Sequence, residues 1–274
     1  MIKNLDTRAF EGLIKASDVF DKQGTHQAFE TSWDEKSSIA LSKQPNHKHH
    51  QHLGRYAEWL FEHYLKWHPD WKLHFTNLQI ISNQRTIGEM DFIVEHIESK
   101  QIYHIELACK FYLYDSTNEN GLRAWTGPNK KDRLYEKHHH LLQHQLPLLY
   151  HSKTVAWFEK QGMDASQFEQ KISFKGFAFV PLHFQNWPET EINKDCFAGH
   201  WMYSSEFEPW IQTQDLAYIP NKLEWLIHPQ NCDDWQTIES IAPAVKQFLK
   251  QSISPMIWVK NHDGFAQRIF VVWW

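Results

Sequence analysis

Two acidic residues lie within apolar strand patterns, where side chains are usually covered. Asp91 lies in the run from Ile87 to Val94, and Glu106 lies in the run from Ile102 to Leu113. Carboxylates are rarely buried unless they are paired or bind a metal ion. Two carboxylates from neighbouring strands, completed by waters and a backbone carbonyl, are oxygen ligands that Mg²⁺ accepts. The pattern therefore predicts a site for Mg²⁺ (or Mn²⁺) on Asp91 and Glu106.

The two strands are predicted to form a hairpin, because the polar stretch from Glu95 to Gln101 has the composition of a turn. Alternation along the second strand puts Glu106 and Lys110 on one face, together with His104 and Tyr112. The residues alone also allow a second interpretation. Glu106 and Lys110 could form a structural ion pair on a solvated sheet face.

A third acid comes from an amphipathic helix that is predicted from Leu53 to Leu65. The apolar arc of this helix contains Leu53, Tyr56, Ala57, Leu60, Phe61 and Tyr64. Glu58 falls at the edge of that arc. A glutamate at this border can lean toward a site under the helix, or it can be exposed to solvent.

A second helix is predicted from Lys131 to Leu146, after the turn at Gly127-Pro128-Asn129. Gln145 lies near the middle of its apolar face, where an uncompensated amide would cost about 1–3 kcal/mol. We therefore expect Gln145 to have a polar partner, which is either the acidic site or the backbone of the core. The cations of this segment could contact nucleic-acid phosphates or could form its solvated side. They are Lys130, Lys131, Arg133 and Lys137.

The candidate site residues follow one another along the chain in the order of a known sequence motif. The series Gly54, Glu58, Asn77, Gly88-Glu89, Asp91 and Glu106 resembles the PD-(D/E)XK nuclease superfamily, whose small bacterial members carry G-x-x-x-E, N, G-E-x-D and E-x-K. The string from His104 to Leu113, followed by Gly127-Pro128 and Asp132-Arg133-Leu134, resembles a bacterial family, domain of unknown function 1853. The first resemblance covers roughly a third of the chain, and the second covers most of it.

The superfamily resemblance implies an α/β fold with a central mixed β-sheet flanked by helices. This restriction-endonuclease-like core would carry N- and C-terminal elaborations. Asp91 and Glu106 would bind Mg²⁺ (or Mn²⁺), and Glu58 would be an auxiliary carboxylate. Lys110 would replace the motif lysine. Gln145 would match a glutamine that faces the site in members resembling recombination exonucleases. The activity expected from this resemblance is hydrolysis of phosphodiester bonds of DNA (or RNA) by metal-activated water.

One position departs from the motif. The lysine usually follows the glutamate by two residues, where this sequence has Ala108. Lys110 keeps the same strand face, but its Cα lies about 13 Å from that of Glu106 instead of about 7 Å. The alternative function is therefore a catalytically degenerate protein of this fold that binds nucleic acid or protein.

Composition favours one well-packed protein over a disordered chain, because 42% of the 274 residues are hydrophobic and 15% are aromatic. We expect a single elaborated domain with a lead-in over 1–46, a core over about 47–185 and an aromatic-rich α/β extension over 186–274. The net charge is −5. DNA contact would therefore need a local basic surface.

No run of residues approaches the ~20 apolar positions of a membrane span. The three cysteines, Cys109, Cys196 and Cys232, have no metal-binding spacing. These observations favour a cytoplasmic protein without a membrane partner. Further elements are predicted as helices over Thr7–Phe20 and Trp235–Gln251, and as strands over Phe174–Leu182 and Arg268–Trp274.

Overall fold

The computed structural model describes residues 5–20, 28–31, 33–43, 52–117, 119–184 and 186–274. Part of the predicted lead-in over 1–46 therefore lies outside the described residues. The α-helices within these ranges are α1 (Leu5–Lys15), α2 (Glu35–Ser42), α3 (Leu53–Trp67), α4 (Leu134–His140), α5 (Ser152–Lys160), α6 (Ser204–Ile211) and α7 (Ile238–Lys250).

The strands are β1 (Trp71–Ser82), β2 (Arg85–His96), β3 (Ile102–Tyr114), β4 (Trp125–Thr126), β5 (Glu169–Pro181), β6 (Phe197–Tyr203), β7 (Leu216–Tyr218), β8 (Gln236–Thr237), β9 (Met256–Lys260) and β10 (Ala266–Val272). They form a large mixed sheet, in which β6 is parallel to β5 and β10 while the hairpins are antiparallel. The protein therefore has an α/β fold.

The contacts divide the chain into two compact units. The first unit contains residues 13–109 and 136–175, and the second contains residues 1–12, 110–135 and 176–274. Strands β3 and β5 contribute residues to both units. The expectation of a single elaborated domain stays a prediction.

In the first unit, β1 pairs with β2 and β2 pairs with β3. Helix α3 buries its apolar arc against this hairpin, and the rings of Phe61 and Phe92 lie 5.3 Å apart. A second cluster joins Met90 and Ile93 of β2 to Leu149 and Phe158. The strands that carry the two central acids are therefore held by apolar packing within this unit.

In the second unit the strand order is β5-β6-β10-β9-β7-β8, and β4 pairs with the end of β3. Helices α6 and α7 pack on a core that includes Val245, Ile257 and Val271. Trp201 and Trp258 are buried as packing residues. The three cysteines are free thiols.

Helix α3 and strands β2 and β3 confirm the elements predicted around the acidic residues. The predicted helix over Thr7–Phe20 ends earlier, at Lys15. The reason lies in a long-range contact: Asp18 forms an isolated bridge with Lys175, and the Val19 N–H donates to the carbonyl of Phe174.

The prediction for Lys131–Leu146 was partly wrong. Helix α4 begins only at Leu134, because the preceding residues form a tight turn in which Gly127 N–H donates to Asp132 O and Lys130 has a φ of 55°. After α4 the chain forms a π-helical turn over Leu141–Gln145 and then a 3₁₀ turn over Leu146–Tyr150. The chain from α4 to Tyr150 is therefore helical but irregular, and His151 is extended before α5 begins.

Candidate active site

Asp91 and Glu106 are neighbours on adjacent strands. Phe92 pairs with Ile105 in the β2–β3 register, so the next positions along the two strands are Asp91 and Glu106. Asp91 is 8% exposed and Glu106 is fully buried. The backbone N–H of Leu107 donates to Oδ2 of Asp91 at 2.8 Å. The hairpin thus places two acids together beneath the surface.

Burial makes both acids hard to ionise. It raises the pKa of Asp91 to about 8, and the neighbouring charge of Glu106 adds to this rise. Burial also raises the pKa of Glu106 to about 8. Both carboxyl groups therefore hold their protons at neutral pH unless a cation joins them.

Both oxygens of Glu106 accept hydrogen bonds from uncharged side chains. His104 Nε2 lies 2.7 Å from Oε1, and Gln145 Nε2 donates to Oε2 at 2.6 Å. The polar partner expected for Gln145 is therefore found, and it is Glu106. These two bonds fix the orientation of the carboxyl plane.

The tautomer of His104 follows from its second partner. Gln170 Nε2 is a donor, and it lies 3.2 Å from His104 Nδ1 and 2.5 Å from the carbonyl oxygen of Leu146. Nδ1 of His104 must then accept, so Nε2 carries the proton that is donated to Glu106. Burial lowers the pKa of His104 to about 4, which keeps the ring neutral at physiological pH.

Gln145 also connects Glu106 to a cation. Its Oε1 accepts from Lys137 Nζ at 3.1 Å and lies 3.3 Å from His140 Nδ1. Gln145 is the last residue of the π-helical turn. Such turns are rare and occur frequently at functional sites.

An open pocket of about 470 Å³ adjoins this pair of acids. Its lining contains Arg55, Glu58, Ile87, Gly88, Glu89, Asp91, His140, His144, Gln145 and Leu148. Arg55 lies 2.8 Å from Glu58 and 3.3 Å from Glu89, and more than half of its side chain is exposed. The pocket therefore combines acidic walls with one guanidinium group at its surface.

Gly88 allows close packing beside the pocket. A Cβ atom at this position would lie 2.6 Å from Cδ2 of Leu148. A larger residue would therefore push Leu148 out of its place between the pocket and the core of the first unit.

The structure brings four predicted site residues together: Glu58, Asp91 and Gln145 line the pocket, and Glu106 is bonded to Gln145. Lys110 belongs to the second unit, where its Nζ lies 2.5 Å from Asp132 Oδ2. Among the described residues, Lys110 is not part of the pocket lining.

The four cations predicted to contact nucleic acid do not form one group within either unit. Lys137 belongs to the first unit, whereas the other three belong to the second. There Lys130 pairs with Asp115 and lies over the ring of Trp274, and Arg133 pairs with Glu119. Lys131 is exposed.

Several residues of the site were not predicted from the sequence. Glu89 precedes Asp91 by two positions on the same strand, so alternation could have placed both side chains on one face. Arg55 precedes Glu58 by three positions, which is ion-pair spacing on a helix. His104 precedes Glu106 by two positions on one strand face, so the same alternation places it beside the acid. The role of Gln170 depends on a contact across 66 positions, and no local signal indicates it.

Asp91 and Glu106 offer two carboxylates as possible metal ligands. Among the residues that the model describes, no group of three or more His, Cys, Asp and Glu side chains is arranged to hold a metal ion. Mg²⁺ nevertheless often uses one or two carboxylates and retains several waters. The donor chemistry of Asp91 and Glu106 therefore fits a hard divalent cation, and the predicted metal site stays a prediction.

A family comparison extends over nearly the whole chain. The family model described as Domain of unknown function (DUF1853) matches residues 5–272. The chain belongs to this family. No curated protein and no solved structure matches it. The DUF1853 match includes every residue of the candidate site, but its description carries no activity.

Within the described part of the chain, no helix has the length and apolar character needed to cross a membrane.

Proposed function

We propose that this protein is a Mg²⁺- or Mn²⁺-dependent nuclease with a PD-(D/E)XK-like core. The observation that carries the proposal is the buried pair of Asp91 and Glu106 beside an open pocket. Two buried acids are costly to ionise unless a cation compensates their charge. Side chains that are unfavourable for the metal-free fold are typical of functional sites.

Asp91 and Glu106 would hold the ion. When bound, a divalent cation of this kind would polarise the scissile phosphate and lower the pKa of an attacking water. The rest of the chemistry depends on the orientation of protein groups. Glu58 and Glu89 lie on the pocket wall, where they can accept hydrogen bonds from water, and Arg55 can bind a phosphate oxygen of the substrate.

The surrounding hydrogen bonds keep the acids in position. Leu107 N–H holds Asp91, while His104 and Gln145 hold the two oxygens of Glu106. Because both partners of Glu106 are uncharged donors, they orient its carboxylate without neutralising it. Each oxygen retains lone-pair capacity for a further partner.

The test is a cleavage assay with purified protein on single-stranded DNA, double-stranded DNA and RNA, with Mg²⁺, Mn²⁺ or EDTA. We expect metal-dependent cleavage that is lost in Asp91→Asn and Glu106→Gln. The matched control is Glu159→Gln, which changes an exposed glutamate on α5. Cleavage that survives EDTA, or that both site variants retain, would overturn the proposal.

The alternative function is a catalytically degenerate protein that binds nucleic acid or protein. It is favoured by one observation: the ammonium group of Lys110, which the motif would use, is bonded to Asp132 in the second unit. This alternative predicts DNA binding that does not depend on Mg²⁺, and no cleavage of any of the three substrates.

A further inference from the structure

The candidate site has a cation that the motif does not predict. At the usual position of the motif lysine, this chain has Ala108, which is buried and uncharged. Lys137, which belongs to α4, is connected to the site by a hydrogen bond to Gln145. Building on the proposed nuclease function, we propose that Lys137 is the positioning lysine of this site and acts through Gln145.

The hydrogen bonds form a short chain from ammonium to carboxylate. Lys137 Nζ donates to Gln145 Oε1 at 3.1 Å, and Gln145 Nε2 donates to Glu106 Oε2 at 2.6 Å. All three residues belong to the first unit. One amide group therefore separates the ammonium from the acid.

The π-helical turn makes this chain possible. On a regular α-helix, residues eight positions apart point about 80° away from each other. A π-helical turn contains about one extra residue, which reduces the separation of Lys137 and Gln145 to about 20°. The turn over Leu141–Gln145 thus aligns the ammonium with the amide.

Lys137 also determines which way the amide points. An ammonium group has donors and no acceptor, so the oxygen of Gln145 must face Lys137. The NH₂ group then faces Glu106. With the amide reversed, a carbonyl oxygen would face the carboxylate, which is repulsive.

The charge of Lys137 favours ionised acids. It acts against burial by lowering the pKa of both Glu106 and Asp91. Other ionisable groups that adjoin the pair are Arg55 and Glu58 from α3, Glu89 from β2, His104 from β3, His140 from α4 and His144 from the π-helical turn. The two glutamates raise these pKa values, and His104 is neutral. Lys137 therefore supplies the positive charge at the end of the hydrogen-bond chain that orients Glu106.

The test is Mn²⁺ binding by isothermal titration at pH 7, on wild type, Lys137→Met and Lys137→Arg. We expect Lys137→Met to weaken Mn²⁺ binding about tenfold, because Gln145 and Glu106 lose the group that orients them. Lys137→Arg should keep an affinity close to that of wild type, because it retains both charge and donors. Lys160→Met, at an exposed lysine on α5, is the matched control.

Rescue by arginine separates positioning from simple packing, because the guanidinium keeps the charge and the donors but not the shape of the lysine side chain. A Kd for Mn²⁺ that stays unchanged in Lys137→Met would overturn the assignment. So would a Kd that increases in Lys110→Met instead.

The cleavage assay separates this proposal from the nuclease function. Weaker Mn²⁺ binding in Lys137→Met, without cleavage of any substrate by wild type, would support the role of Lys137 and refute the nuclease. Cleavage by wild type, with an unchanged Kd for Mn²⁺ in Lys137→Met, would do the reverse. A wild-type protein that does not bind Mn²⁺ would overturn both.

Discussion

Replacing Asp91 with asparagine should stabilise the metal-free protein, although Asp91 lies at the centre of the candidate site. Burial raises its pKa from the ordinary value of 3.8 to about 8. The unfolded chain therefore binds fewer protons than the folded chain between these two values, so stability falls as pH rises through this window.

The magnitude follows from the size of the shift. The unfolded carboxyl loses its proton near its ordinary pKa, about three pH units below pH 7, whereas the folded carboxyl still holds its proton at pH 7. Each pH unit of this difference lowers the free energy of unfolding by about 1.4 kcal/mol. This gives a cost on the order of 4 kcal/mol near pH 7 and below about 1 kcal/mol near pH 4. Asparagine has no such cost, and its oxygen can still accept from Leu107 N–H.

The assay is urea unfolding in EDTA, followed by tryptophan fluorescence, for wild type, Asp91→Asn and the control Glu159→Gln. We expect Asp91→Asn to gain about 2–4 kcal/mol near pH 7 and little near pH 4. The control should follow wild type at both pH values. Mn²⁺ at about 100 times its Kd should add about 2.7 kcal/mol to wild type and nothing to the variant. A variant that is less stable than wild type near pH 8, or a gain that does not change with pH, would refute this reasoning.

Three other outcomes are expected. Near pH 7, Mn²⁺ binding should release between one and two protons, because the pKa values of Asp91 and Glu106 are about 8. Titration in buffers of different ionisation enthalpy measures this number, and a release of zero would contradict the pair. Gly88→Ala should destabilise the fold by about 1–3 kcal/mol, and it should cost much less when Leu148→Ala is already present, because the added Cβ then has room; additive changes in the free energy of unfolding would contradict the contact. The ring protons of His104 should not titrate by NMR between about pH 6 and pH 8, because burial lowers its pKa to about 4; a titration in that range would show a charged partner for Glu106.

The residues with strong local periodicity were predictable from the sequence. The apolar arc of α3 and the alternation of β3 each depend on neighbours along the chain, and both elements occur where they were expected. The pairing of Asp91 with Glu106 followed from the same hairpin. The prediction for α3 succeeded because one face of the helix is buried, whereas β3 was indicated by its apolar composition and is buried on both faces over 104–108.

Elements that lack such a pattern were missed. Strand β1 has no clean alternation of burial, since its register shifts twice and Asn77 adopts a φ of 48°. The partner of Lys110 could not be foreseen either, because Asp132 follows it by 22 positions. The alignment of Lys137 with Gln145 needs a π-helical turn, which regular helical periodicity does not indicate.

The interleaving of the two units has a consequence for biosynthesis. All segments of the first unit have been synthesised once residue 175 is joined, so the scaffold of the candidate site can assemble early. The second unit needs both ends of the chain: Gly12 packs against the backbone of Leu226, and Arg8 bonds to Asp233. Arg8 can therefore form this contact only after more than 200 further residues have been synthesised. The second unit is therefore completed later in synthesis than the scaffold of the acidic site.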